Sequence, residues 1–141
     1  MMSRSRVFID NASVATYATA IRAGGRASGE PVGVLAIFFN WAPQAHTVVK
    51  GVRLSPEDWQ RTRCLLVDAG HRVIAASDGM GVLTETFPLK DDPTPTGWYE
   101  APDGALVAFA RTPGYETYPG LGWYGVIVQH PPGGRHPAGH A

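Results

Sequence analysis

From Val32 to Trp41 the chain reads VGVLAIFFNW, with Asn40 the one polar side chain and no charge. A run this apolar and this rich in β-branched and aromatic residues has the length and composition of a strand. It predicts a central strand, for which the rest of the chain must supply neighbours.

Upstream, Val14, Tyr17 and Ile21 fall on one helical face between Asn11 and Arg22. With Asn11 or Ser13 as N-cap and Gly24-Gly25 as a stop, this predicts an N-terminal amphipathic helix. Downstream, Pro43 suits the first turn of a short helix carrying His46, Val49 and Lys50 up to Gly51. Ser55-Pro56-Glu57-Asp58 offers a capping hydroxyl, a first-position proline and acids at the positive end of the helix dipole, so a second short helix begins there and carries Trp59.

The later apolar runs pair off. Arg63 to Asp68 and Arg72 to Ser77 flank Ala69-Gly70-His71, a connection of hairpin length. Asp78-Gly79-Met80-Gly81 breaks the pattern, and the breaker-rich stretch to Thr96 predicts a long loop over one face. GWYEA from Gly97 and ALVAFART from Ala105 flank Pro102-Asp103-Gly104, where proline presets φ and glycine takes the left-handed position. Two prolines and two tyrosines make Thr112 to Gly120 a structured loop, and Gly120 to Gln129 is a closing strand. No regular strand-helix-strand alternation is present, which predicts an α+β fold: an antiparallel sheet flanked by helices. The 141 residues suit a single domain over 1–131, with a proline- and glycine-rich flexible tail at 132–141.

Twelve basic side chains balance twelve acidic ones, so no net field favours nucleic acid or an anionic membrane. Cys64 is the single cysteine, which excludes an intrachain disulfide and leaves the redox compartment open. No signal-peptide core or membrane-length apolar run occurs, so the chain as it stands reads as soluble and cytoplasmic, or periplasmic if it derives from a membrane receptor.

Three patterns in order, EPVGVLAIFFNW, LLVDAGHRVIAAS and GLGWYGVIVQHP, resemble the Cache module of bacterial receptors over roughly Gly29 to Pro131. Gly33-Val34-Leu35, Leu66-Val67-Asp68 with Val73-Ile74-Ala75, and Gly122-Trp123 match the family's strand and hairpin patterns. A GAF strand also resembles GEPVGVLAIF, but there the hairpin precedes the strand, and the order here favours Cache. The resemblance implies a PAS-like antiparallel sheet of five or six strands with an N-terminal helix and short flanking helices. It further implies a small-ligand pocket on one face, and signalling through the termini to chemoreceptor, kinase or cyclase output modules. The aromatic-arginine-aspartate signature of amino-acid-binding members is not visible, so the ligand class is not carried over. The alternative is a ligand-free PAS-like module that forms homodimers through the N-terminal helix.

Chemistry is not expected. The histidines are scattered, Cys64 lies mid-strand as a small hydrophobe without an activating base, and no nucleophile elbow is present. Neither a metal nor a cofactor is called for. Ligand pockets are mostly apolar with a few placed polar groups, which draws attention to Trp98, Tyr99, Phe109, Tyr115, Tyr118, Trp123 and Tyr124. Alternation along ALVAFART sets Val107, Phe109 and Arg111 on one face, so Arg111 continues an aromatic face and can hold a carboxylate or amino acid in a bidentate fork. The bland alternative is an ion pair with Glu116 or Glu100, and Asp68 is expected to cap its turn.

Overall fold

The computed structural model describes residues 8–9, 12–90, 94–114 and 118–133. The chain divides into two compact units, residues 1–44 and 45–141.

In the first unit, β1 (Phe8–Ile9), β2 (Ala12–Arg22) and β3 (Pro31–Asn40) form an antiparallel sheet in the order β1-β2-β3. The N-terminal amphipathic helix expected over these residues is therefore replaced by a strand. Val14, Thr16, Thr19 and Ile21 are β-branched and lose rotamer freedom in a helix. The apolar run beside them meanwhile offers a ladder partner along its whole length, from Val14↔Asn40 to Arg22↔Pro31. A single 3-10 turn (Ala23–Gly25) closes the hairpin, with Gly24 and Gly25 both at φ near +65° as left-handed positions that glycine alone takes without strain. Arg22 Nη1 donates to the Gly29 carbonyl at 2.9 Å and locks the connection. The expected central strand, β3, is instead the outer strand of this small sheet, and its large apolar side chains are exposed.

Helix α1 (Trp41–Lys50) follows β3 directly, and Asn40 Oδ1 accepts from the Ala42 N–H at 3.3 Å at its start. Helix α2 (Pro56–Gln60) forms as its capping chemistry predicts: Ser55 Oγ accepts from the Asp58 N–H at 3.0 Å, with Pro56 at the first position. Then come β4 (Thr62–Val67), β5 (Val73–Ala76), β6 (Thr96–Glu100), β7 (Leu106–Arg111) and β8 (Tyr124–Gln129), all antiparallel, in the order β5-β4-β8-β7-β6. Both expected hairpins are present. The closing strand enters between them and becomes the centre of the sheet. The protein is thus mostly antiparallel sheet with few helices, consistent with a PAS-like α+β fold.

The long connection after β5 does two things. Its 83–87 stretch runs along the outer edge of β5, through Leu83 N–H to Val73 O (2.7 Å), Val73 N–H to Glu85 O (2.9 Å) and Phe87 N–H to His71 O (2.9 Å). Phe87 and Leu89 then fold onto the sheet face and close its core over Leu65, Val67, Val107, Phe109 and Val126.

Asp68 takes the turn role. Its Oδ1 accepts from the N–H groups of Gly70 (2.8 Å) and Arg72 (3.0 Å), and its Oδ2 from the Arg72 guanidinium (3.2 Å). Burial pushes the carboxyl up, but these donors outweigh it and hold the group below its ordinary value. A depressed carboxylate stabilises the fold above its unfolded pKa, and that share is lost as pH falls through the folded value. The urea midpoint of the wild type is therefore expected to lose its advantage over Asp68→Asn as pH drops below about 4. A difference that stays constant from neutral pH to well below about 4 would show that the charge is idle.

Candidate functional site

Register divides the five-stranded sheet into two faces of different character. Tyr99 pairs across from Val107, which lies opposite Val128, and Arg111 lies opposite Tyr124, so these side chains share the face on which Val82, Phe87 and Leu89 pack. Along it the rings form a chain. Tyr99 and Phe109 have centroids 6.5 Å apart, Phe109 and Tyr124 6.2 Å, and Tyr124 and His71 6.0 Å, the last two edge to face. His71 holds φ +61°, a backbone conformation uncommon outside glycine.

Arg63 sits on the same face, buried to 8% exposure. Its guanidinium donates to both carboxylate oxygens of Glu85 (2.9 and 2.8 Å) and to the Met80 carbonyl (2.9 Å). Nε lies 2.8 Å from Asp78 Oδ2, close enough for an ion pair although its N–H is not aligned for a hydrogen bond. The hydrogen bond to Glu85 chiefly raises the guanidinium pKa, against a smaller opposing effect of burial. This cation is fully used in holding the 78–85 connection to the sheet.

Arg111 is the contrasting case. It ends β7 exposed, with its N–H donated to the Pro95 carbonyl at 2.6 Å. Its guanidinium lies beside Gly122, where a Cβ would sit 3.4 Å from Nη2 and 3.2 Å from Ala69 Cβ, at φ +69°. Gly122 therefore leaves room for the guanidinium at the end of the face. Among the described residues no carboxylate pairs with Arg111, and Glu100, at the far end of β6, is not its partner. Glu116 and Tyr115 lie outside the described residues. Tyr118 is 46% exposed, and its carbonyl lies against Gly114.

The structure thus brings Tyr99, Phe109, Arg111 and Tyr124 to one face and adds His71, which sequence reasoning did not select. Trp98 is on the other face, opposite Ala108, and is 73% exposed. Neighbours along a strand point to opposite sides, and this parity separates Trp98 from Tyr99.

That second face carries a feature with no sequence signal. A cavity of about 340 Å³ lies between the C-terminal half of α1 with Val52 and the sheet. Val48, Val49 and Val52 wall it, and Cys64, Leu66, Ala108, Ala110 and Ile127 contribute to its floor. It exists because β7 and β8 place Ala110 directly across from Gly125, leaving the sheet without bulk there. Burial raises the Cys64 thiol pKa, so this side chain stays neutral and behaves as a small hydrophobe. Among the described residues no three of His, Cys, Asp and Glu are grouped so as to hold a metal ion. No helix of the described residues is long and apolar enough to cross a membrane.

No family model and no curated protein matches the chain. Solved structures do. The extracellular domain of the histidine kinase rpHK1S-Z16 covers 90% of this chain at 14% identity, with a TM-score of 0.60. The ligand-binding domain of the Pseudomonas aeruginosa PAO1 amino acid chemoreceptor PctB, in complex with L-Gln, covers 84% at 20% identity and TM-score 0.54. That of the Pseudomonas fluorescens chemoreceptor CtaA, with L-leucine, covers 89% at 17% identity and TM-score 0.51. The fold is that of Cache-like sensory domains. The chain spans about half the length of these structures, 52%, 46% and 50% respectively. Two of them are ligand-binding domains of chemoreceptors and one is an extracellular domain of a kinase.

Proposed function

We propose that the 45–141 unit senses a small metabolite that carries a carboxylate, an amino acid being the first candidate, and passes a conformational change to output modules of a signalling protein. The observation that supports this is Arg111: a guanidinium at the end of an aromatic face, given space by Gly122 and without a carboxylate partner among the described residues. A planar fork of donors matches a carboxylate in two parallel hydrogen bonds. The PctB structures hold L-Gln and L-Arg and the CtaA structure L-leucine, ligands that share an α-carboxylate. In this reading Phe109 and Tyr99 form the packed floor of the same face, while Tyr115, also expected at the site, lies outside the described residues and Tyr118 is exposed. Trp98 faces away from Arg111 and has its place at the other side of the sheet. The reading asks for binding alone and for no bond to be made or broken.

A differential scanning screen with L-glutamine, L-leucine, L-arginine and their decarboxylated amines tests it. A ligand at 100 times its dissociation constant stabilises by about 2.7 kcal/mol, a shift that such a screen detects. Stabilisation by the amino acids and not by the amines is expected. Arg111→Ala is expected to weaken binding by about 10- to 100-fold, the worth of a charge-assisted hydrogen-bond pair. Unchanged affinity in that variant removes Arg111 from the site, and a flat screen removes the carboxylate reading.

A further inference from the structure

The β2–β3 hairpin presents more apolar surface than a solvated sheet carries. No charged residue occurs from Val14 to Ile21 or from Pro31 to Asn40. Register sorts the large side chains unequally. Tyr17 lies across from Ile37, Leu35 across from Thr19, Phe39 across from Ala15 and Ile21 across from Gly33, so Tyr17, Ile21, Leu35, Ile37 and Phe39 share one face. Val32, Val34 and Phe38 are on the other, among Ala18, Ala20 and Ala36. The richer face is open: Tyr17, Leu35 and Ile37 are 54%, 54% and 55% exposed.

We propose that this face packs on the same face of a second copy of the chain, forming a two-fold symmetric pair of sheets. Three arguments select a second copy. The five large side chains leave roughly 500 Å² open, so a symmetric pair buries on the order of 1,000 Å², the area a specific interface must reach. Bulky and small positions alternate across the face, with Thr19, Gly33 and Ala15 as gaps beside Leu35, Ile21 and Phe39, and two such surfaces interdigitate at the roughly 10 Å spacing of packed sheets. An uncharged surface, finally, makes no demand for a partner of opposite sign, and an isologous interface needs only self-complementarity.

Sedimentation velocity of the full chain across a wide concentration range tests this, using the wild type, Ile37→Asp on the proposed interface and Val34→Asp on the opposite face of the same strand. Val34 is 71% exposed and adjacent along the hairpin, so it controls for damage to the hairpin itself. A reversible monomer–dimer equilibrium is expected, with the dissociation constant raised at least about tenfold by Ile37→Asp and changed by less than about threefold by Val34→Asp. A monomer at every concentration overturns the proposal, and so does open-ended association into larger species. A dimer that both substitutions weaken equally, or that neither weakens, overturns it as well.

Discussion

Arg63→Met is expected to destabilise the 45–141 unit by about 3 kcal/mol, the lower end of the cost of removing one partner from a buried ion pair. For a unit of this size that lowers the melting temperature by more than about 10 °C. Methionine matches the length of the stem and keeps its packing, so the loss isolates the guanidinium. What remains behind is unfavourable: Asp78 and Glu85 keep their charges near one another, and the Met80 carbonyl loses its donor. The lower end of the range applies because Glu85 is 34% and Asp78 21% exposed at the side chain, and water takes up part of the deficit. The connection Arg63 holds also covers the edge of β5 and closes the core through Phe87 and Leu89, so hydrogen exchange at Val73, Leu83 and Phe87 should accelerate with the global loss. Adding Glu85→Met to Arg63→Met should recover part of the stability, since an apolar pair replaces a stranded charge. A melting temperature within about 2 °C of wild type would mean that the network is solvated and holds nothing.

What could be read from the sequence was local chemistry. The hairpins β4–β5 and β6–β7 were legible because turn residues of known conformational bias, Gly70 and Pro102-Asp103-Gly104, sit between alternating apolar runs. Helix α2 was legible from its cap, since Ser55, Pro56 and Asp58 act within one turn. β2 was misread because Val14, Tyr17 and Ile21 satisfy a helical period while Ala15, Tyr17, Thr19 and Ile21 satisfy a strand period just as well. The ladder with β3, a non-local partner, decides between them. For β3 itself the composition specified a strand that wants cover, but no local signal says which sheet supplies its neighbours.

The candidate site divides in the same way. That Phe109 and Arg111 share a face follows from their parity along β7 and needed no structure. The same parity, applied to Trp98 and Tyr99, already separates them. His71 and Tyr124 join the aromatic chain only through the β4–β8 and β7–β8 registers, which bring distant segments together. The cavity depends on Ala110 meeting Gly125 across strands, and neither residue is conspicuous alone.

Phe109→Ala carries the other large expected effect, about 3–5 kcal/mol, as for other buried phenylalanines truncated in a packed core. The ring is 7% exposed and sits between Tyr99 and Tyr124, so its loss removes two aromatic contacts as well as buried area. It also packs directly over Gly97, where a Cβ would come within 2.8 Å of its Cζ. This close approach provides an internal check on the mechanism. Gly97→Ala alone should destabilise, because the ring must shift within a core held by Tyr99, Tyr124 and Val126. In the Phe109→Ala background the same methyl enters the space the ring vacated, so its cost should vanish or reverse, giving a coupling energy of at least about 1 kcal/mol between contacting residues. Denaturant midpoints of the two single variants and the double variant measure it. Additive losses would show that the Gly97 methyl and the Phe109 ring do not compete for one volume, and that the face beneath Arg111 is looser than the register of β6 and β7 requires.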